Sequence, residues 1–223
     1  MSFTSLIFIW IIAFPVGIYV AIRQYSVGDY IATFLSFIGL AVPNFMLALV
    51  LMYLSFRYLG IDVGGLFSLE YEDAPWSFAK VIDLLKHLWI PTVVLGTAGT
   101  AGLVRIMRAN LLDELRKQYV ITARAKGLSE NYLTMKYPVR IALNPFISTV
   151  GWYLPTLISG ATITAVVLNL PTTGPLLIGA LLSQDMFLAG SFIMLLSILT
   201  VIGTLISDIL LVVIDPRIRF EGR

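Results

Sequence analysis

Asp208 is the one ionisable residue well inside an apolar run, the stretch from about 189 to 214. A carboxyl there is costly without a partner or a task, so it is the first residue to question for chemistry. A proton relay needs several such groups. An intramembrane protease needs paired aspartates, a Ser/His set or a His-Glu-x-x-His helix. The chain has no cysteine, and its single histidine, His87, lies in a different segment. Zinc sites built on Cys and His, thiol nucleophiles and disulfides are therefore excluded. Gly96, Gly99 and Gly102 imitate a phosphate loop, but no Gly-Lys-Ser/Thr follows and the run is apolar. Glycines three apart, with Ala and Thr between them, suit close helix–helix contact instead. Asp208 reads as a structural charge, satisfied by Arg105, by Arg108 or by backbone groups. Without a nucleotide motif, energy for any work must come from another chain.

The elements that hold these residues follow from the hydropathy. Of 223 residues, 58% are hydrophobic and 13% charged, about half the usual charged share. A mean hydropathy of +0.91 exceeds what one soluble domain of this length could bury. About 20 apolar residues cross a bilayer as a helix. Five stretches qualify, at about 3–22, 30–56, 88–104, 141–168 and 189–214. They predict one all-α polytopic membrane bundle over 1–223. The runs are too long and uniformly apolar for a membrane barrel. Pro15, Pro43, Pro91, Pro145 and Pro155 predict kinks. The first stretch has no positive residue before Arg23 and is too long for a signal peptide, so it reads as a span.

Lysines and arginines set the orientation. Eight of fifteen fall between Arg105 and Arg140, against three acids, Asp113, Glu114 and Glu130. That loop should be cytoplasmic. The segment from Arg57 to Lys86 carries three bases and five acids and should be outside. With Arg217, Arg219 and Arg223 inside, the C-terminus is cytoplasmic and Met1 outside.

The basic loop, about 110–138, has internal order. Leu111, Leu112, Leu115, Val120 and Ile121 recur at helical spacing. Ala123 and Ala125 leave room for a partner surface. Gly127 is placed to end a helix and Ser129 to start the next, which Pro138 interrupts. The result is a compact basic knob suited to an acidic partner, or an amphipathic connector lying on anionic lipid. On the other side, His87, Trp76, Trp89 and Trp152 suit the membrane interface. Residues 71–76 form an acidic loop, either solvated or docking a partner. The stretch 168–184 reads as a re-entrant or surface helix, with Thr162, Thr164 and Asn169 near its mouth.

The run Tyr119-Val120-Ile121-Thr122-Ala123-Arg124-Ala125-Lys126-Gly127-Leu128-Ser129-Glu130 resembles the coupling segment of ABC importer permeases. It is most similar to the dipeptide/oligopeptide family of binding-protein-dependent permeases. Asn144-Pro145 sits where that family has its Asn/Leu-Pro pair. Residues 85–91, the run Leu170-Pro171-Thr172-Thr173-Gly174-Pro175, and Asp208 with Asp215-Pro216-Arg217-Ile218-Arg219 resemble further family signatures. The resemblance implies half of a transmembrane pathway in the bacterial or archaeal inner membrane. It implies pairing with a second homologous permease, and delivery of solute by an external substrate-binding protein. It also implies docking of two ATPase subunits, which use ATP and Mg, on Thr122, Ala123, Arg124, Ala125, Lys126, Gly127 and Leu128. This chain would then bind no cofactor, metal or nucleic acid and catalyse nothing. Pro171 and Gly174 join Thr162, Thr164 and Asn169 as candidates for the pathway or outer gate. Peptides are the default solute, with nickel complexes and sugars open; a secondary carrier or intramembrane enzyme using Asp208 is the alternative. Two departures stand out. The glutamate of the general Glu-Ala-Ala motif is Ile121 here. The family also normally begins with one more span and an external segment, so a missing N-terminal span is expected.

Overall fold

The computed structural model describes residues 2–60, 63–144, 146–148 and 161–214, and among them every regular element is a helix. α1 (Ser2–Ile22) is one continuous helix with Pro15 inside it. A turn at residues 23–26 leads to α2 (Val27–Ala41), capped by the Ser26 hydroxyl, which accepts from the Asp29 N–H. α3 (Asn44–Leu54) continues through a π-turn, Ser55–Leu59, to Gly60. α4 (Phe78–Leu115) is a single helix of 38 residues with Pro91 inside. The short helices α5 (Gln118–Ala125), α6 (Glu130–Lys136) and α7 (Pro138–Ala142) follow. α8 (Thr162–Val167), α9 (Thr173–Leu182) and α10 (Met186–Ile214) close the chain.

Two features depart from the expected spans. The stretch 30–56 is no gently kinked helix: α2 and α3 meet at 101°. Pro43 has no N–H and bars the preceding residue from helical geometry, so Val42 is extended, at φ −81° and ψ 121°. The helix covering 88–104 is longer than one bilayer requires and swallows Leu111, Leu112 and Leu115, expected in the basic knob. Beyond Pro91 no proline interrupts it. Its first two arginines also have partners in place: Arg108 pairs with Asp29, and the Arg105 guanidinium lies over the Phe37 ring, 5.4 Å away. By length and composition α1, α4 and α10 can cross a membrane, and the bent pair α2–α3 is long and apolar enough to form either a fourth, broken span or a re-entrant loop. The expected span 141–168 falls partly, and Pro145, Trp152, Pro155 and the 215–219 signature wholly, outside the described residues.

Two buried clusters organise the bundle. One joins Ile9, Ala13 and Val20 of α1 to Leu103, Val104, Met107 and Leu111 of α4, with Val139 and Phe146. The other joins Ala48 of α3 and Ile90 and Val94 of α4 to Val63, Ala165, Leu168 and Leu170. Along α4, Gly96 to Gly102 lies between the clusters. Close packing of α1 on α4 needs glycine. A Cβ on Gly17 would stand 2.6 Å from the Met107 Cβ, and one on Gly96 would enter the Phe8 ring. Gly102 meets nothing within 4 Å.

Candidate functional site

α4 ends in tight turns, the Arg116 N–H donating to the Asp113 carbonyl at 3.3 Å and the Lys117 N–H to the Glu114 carbonyl at 3.1 Å. Lys117 is extended, and α5 starts behind it. α5 is held by Val120, wholly buried, and by the Tyr119 hydroxyl, which donates to Glu114 Oε2 at 2.6 Å. The Gly127 N–H donates to the Arg124 carbonyl at 3.0 Å and the Leu128 N–H to the Ala123 carbonyl at 3.4 Å, closing the helix end. Gly127 adopts φ +79°, a left-handed conformation that glycine takes without strain. Ser129 then occupies the N-cap position of α6, though its hydroxyl makes no capping bond. Leu133, wholly buried, anchors α6 in turn.

This hairpin puts the expected docking residues together on one knob. Thr122, Arg124, Ala125, Lys126 and Gly127 are exposed; Ala123 and Leu128 are half-buried. A Cβ on Gly127 would meet nothing within 4 Å. The carboxylate of Glu130 takes both Arg124 Nε and Nη2, the latter at 2.9 Å, and clamps the two arms across the glycine. The guanidinium beside it holds the Glu130 carboxyl below its ordinary value, and Arg124 is raised in return. With a lowered folded-state value, the pair's support is complete above the ordinary carboxylate range and fades as pH falls through the lowered value. Carbon-13 titration of Glu130 will therefore show a midpoint below that of an ordinary glutamate, and Arg124→Gln will return it to normal. Both groups are solvent-exposed, so the contribution to stability is small.

Next to the knob lies a group that sequence reasoning passed over. Arg108 Nε and Nη2 each donate to Asp29, at 2.9 Å and 2.9 Å. Asp29, 2% exposed, also accepts the Tyr25 N–H at 2.9 Å and the Thr33 hydroxyl at 3.3 Å. The usable signal was Ser26-x-x-Asp29, a helix-start pattern just ahead of the apolar run. Arg108 was expected as a surface base or as a partner of Asp208. Instead it belongs to Asp29, and among the described residues neither Arg105 nor any other base pairs with Asp208, which is exposed on α10.

At the opposite, acidic end, the loop 63–77 is stapled rather than free. Asp83 accepts from the Ser68 N–H at 2.8 Å and from its hydroxyl at 2.7 Å. Lys80 donates to the carbonyls of Glu72 and Ala74 and lies over the Phe67 and Trp76 rings. The Gly65 N–H donates to the Leu168 carbonyl at 2.9 Å. His87 is buried within the chain, 2% exposed, with Nδ1 2.8 Å from the Asp83 carbonyl and 3.7 Å from its carboxylate. The carboxylate was legible one helical turn before the histidine. A cavity of about 1310 Å³ opens here, lined among others by Glu70, Glu72, Lys86 and His87. Of the expected gate residues Asn169 and Pro171 line it. Asn169 also ends α8 at φ +50°, while Thr164 and Gly174 are buried and Thr162 is half-buried. Among the described residues no three His, Asp or Glu side chains gather into a metal-binding group.

A membrane bundle of long apolar helices carrying an exposed basic knob is the class of protein that this geometry defines. The family profile "Binding-protein-dependent transport system inner membrane component" matches residues 13–220, and the chain belongs to that family, as one of its transport permeases. It is 38% identical over 221 residues to the "Oligopeptide transport system permease protein AppB" of Bacillus subtilis (strain 168), covering 99% of this chain and 68% of the relative. It is 31% identical to the "Inner membrane ABC transporter permease protein YejB" of Escherichia coli O157:H7, over 98% of this chain and 61% of that one. The "Dipeptide transport system permease protein DppB" of Escherichia coli (strain K12) is 29% identical, over 97% and 69%. The chain thus spans 61% to 69% of the length of these relatives.

Proposed function

We propose that this chain forms half of the membrane pathway of a peptide importer, with a second homologous permease forming the other half. An external substrate-binding protein delivers the solute. The knob α5–Gly127–α6 docks an ATPase subunit at the cytoplasmic face, and ATP and Mg are handled by that partner. ATP binding and hydrolysis close and open two such subunits; the movement pushes the knob, and α4 takes up the push. The C-terminus then lies in the cytoplasm. Family membership supports permease function, and relatives that move oligopeptides and dipeptides by name support peptides as solute. The observation that carries the docking role is the knob itself. Its anchors Val120 and Leu133 are wholly buried while most residues between them stay exposed, Arg124 and Lys126 among them. A connector lying on lipid would turn its apolar side outward; here Val120 and Leu133 turn inward while Ile121, Tyr132 and Met135 stay at the surface, so the exposed Arg124, Lys126 and Gly127 between the two anchors support the docking reading. Gly127, in open space, is where a partner can come closest.

Gly127 gives the test. Asparagine tolerates a left-handed backbone, so Gly127→Asn adds bulk with little strain. Since a side chain there meets nothing within the chain, a loss of binding comes from the partner's surface. Co-expressed ATPase subunits will co-purify about tenfold less with Gly127→Asn, the scale of a coupling of about 1.4 kcal/mol. Gly127→Val adds backbone strain and will lose more. Full co-purification and full uptake with both variants sink the docking role.

A further inference from the structure

α2 is tied to α4 at two places. At the basic end the tie is the paired Asp29 and Arg108, two contacts of 2.9 Å between residues 79 apart in sequence. Three turns along α2, Gly39 lies against α4: a Cβ there would stand 3.0 Å from Thr97 Cγ2 and 3.5 Å from the Ala101 Cβ. Directly beyond, the chain leaves helix at Val42 and turns by 101° into α3. α3 belongs to the other buried cluster, through Ala48. On α4 the same division recurs, with Val94 in one cluster, Leu103 in the other and the glycine-rich stretch between. The bend in α2–α3 and the glycines of α4 therefore sit at the same boundary.

We propose that α2 and the part of α4 from about Thr97 onward move as one arm, and that Asp29 and Arg108 are the positioning residues that make them do so. A push on the knob beyond Leu115 then reaches the bend at Val42–Pro43, and the bend changes angle. A bidentate pair on a buried carboxylate resists shear in a way that apolar contact does not, because its geometry is fixed in both distance and direction. The inference rests on the docking reading above, and the ATPase is the source of the push.

The chain has no cysteine, which makes placed cysteines unique. In the complex with its partner subunits, spin labels go on Ile121→Cys in the knob and Tyr53→Cys on α3, both exposed. Adding ATP will change their separation by several ångström. In Asp29→Asn/Arg108→Gln, which removes the charges and keeps the shapes, that change disappears while the ATPase subunits stay bound. The second arm of the test is independent of how that variant folds. Gly39→Cys and Ala101→Cys put two Cβ atoms at disulfide range once Thr97 gives way by a few tenths of an ångström. Oxidising the pair locks α2 to α4, and ATP hydrolysis by the complex will stay within about twofold of the reduced form, well inside the fivefold or more of a broken coupling. An unchanged label response in the neutral pair, or a tenfold fall in hydrolysis on oxidation, overturns the single arm. Failure of the parent chain to hold the ATPase at all overturns the docking reading, and the arm falls with it.

Discussion

Arg108→Ala will cost the chain about 3 kcal/mol of stability, measured by denaturant unfolding in detergent. The loss comes from what the substitution leaves behind. Asp29 is 2% exposed, and with its cation gone its carboxyl keeps only the Tyr25 N–H and the Thr33 hydroxyl as partners. Removing one member of a buried pair strands the other, which is worse than removing both. The estimate sits at the low end of the usual range because the Arg108 side chain is 29% exposed, so water reaches one edge of the pair. Asp29→Ala/Arg108→Ala will therefore be more stable than Arg108→Ala alone, and the double-mutant cycle will give a coupling above 1 kcal/mol. An additive pair of losses would show that the two groups act separately.

Gly17→Leu will disrupt the α1–α4 contact altogether. A single Cβ on Gly17 already stands 2.6 Å from the Met107 Cβ and 2.8 Å from its Cγ, near the root of a wholly buried side chain that cannot swing aside. Overpacking at such a site costs about 1–3 kcal/mol for small additions, and leucine adds four carbons. The variant is expected to be lost to aggregation or degradation when expressed, or to melt well below the parent in detergent. Gly96→Leu will be milder, because the clash is with the ring of Phe8, which is only half-buried. Gly102→Leu in the isolated chain will melt like the parent, since nothing lies within 4 Å. Equal losses at Gly17 and Gly102 would mean that glycine serves helix flexibility rather than contact.

Much of the knob could be read from the sequence because its signals are local. A glycine ends α5, a serine opens α6 and a proline closes it, and these act over three or four residues. Helix content was legible for the same reason, as hydropathy is summed along the chain. The contacts between distant segments were not. The pair Asp29–Arg108 spans 79 positions, and nothing in a linear run of charges says which base turns inward. Counting Arg108 among the bases that orient the loop hid its role, and starting the second span at Tyr30 cut Asp29 out of view by one residue. Pro43 announced a kink, but a 101° turn needs somewhere for α3 to go. That place is made by Ile90, Val94, Ala165 and Leu168, which lie far along the chain. Asp208 shows the same limit: a charge in an apolar run asks for a partner, and among the described residues Arg108, one of the candidates, is already paired with Asp29.

The order in which those neighbours appear has a consequence for biogenesis. When residues 27–59 leave the ribosome they form one long, nearly uncharged hydrophobic stretch, and insertion machinery recognises such a stretch as a single crossing. α3 has nothing to turn toward until Ile90 and Val94 have been made, and its seat is incomplete until Ala165 and Leu168 follow. Pro43 breaks the helix locally, but the contacts that hold α3 at its 101° angle are complete only once residue 168 has been made. A chain arrested by the ribosome before residue 165 would carry this segment in a straighter form than the finished protein does.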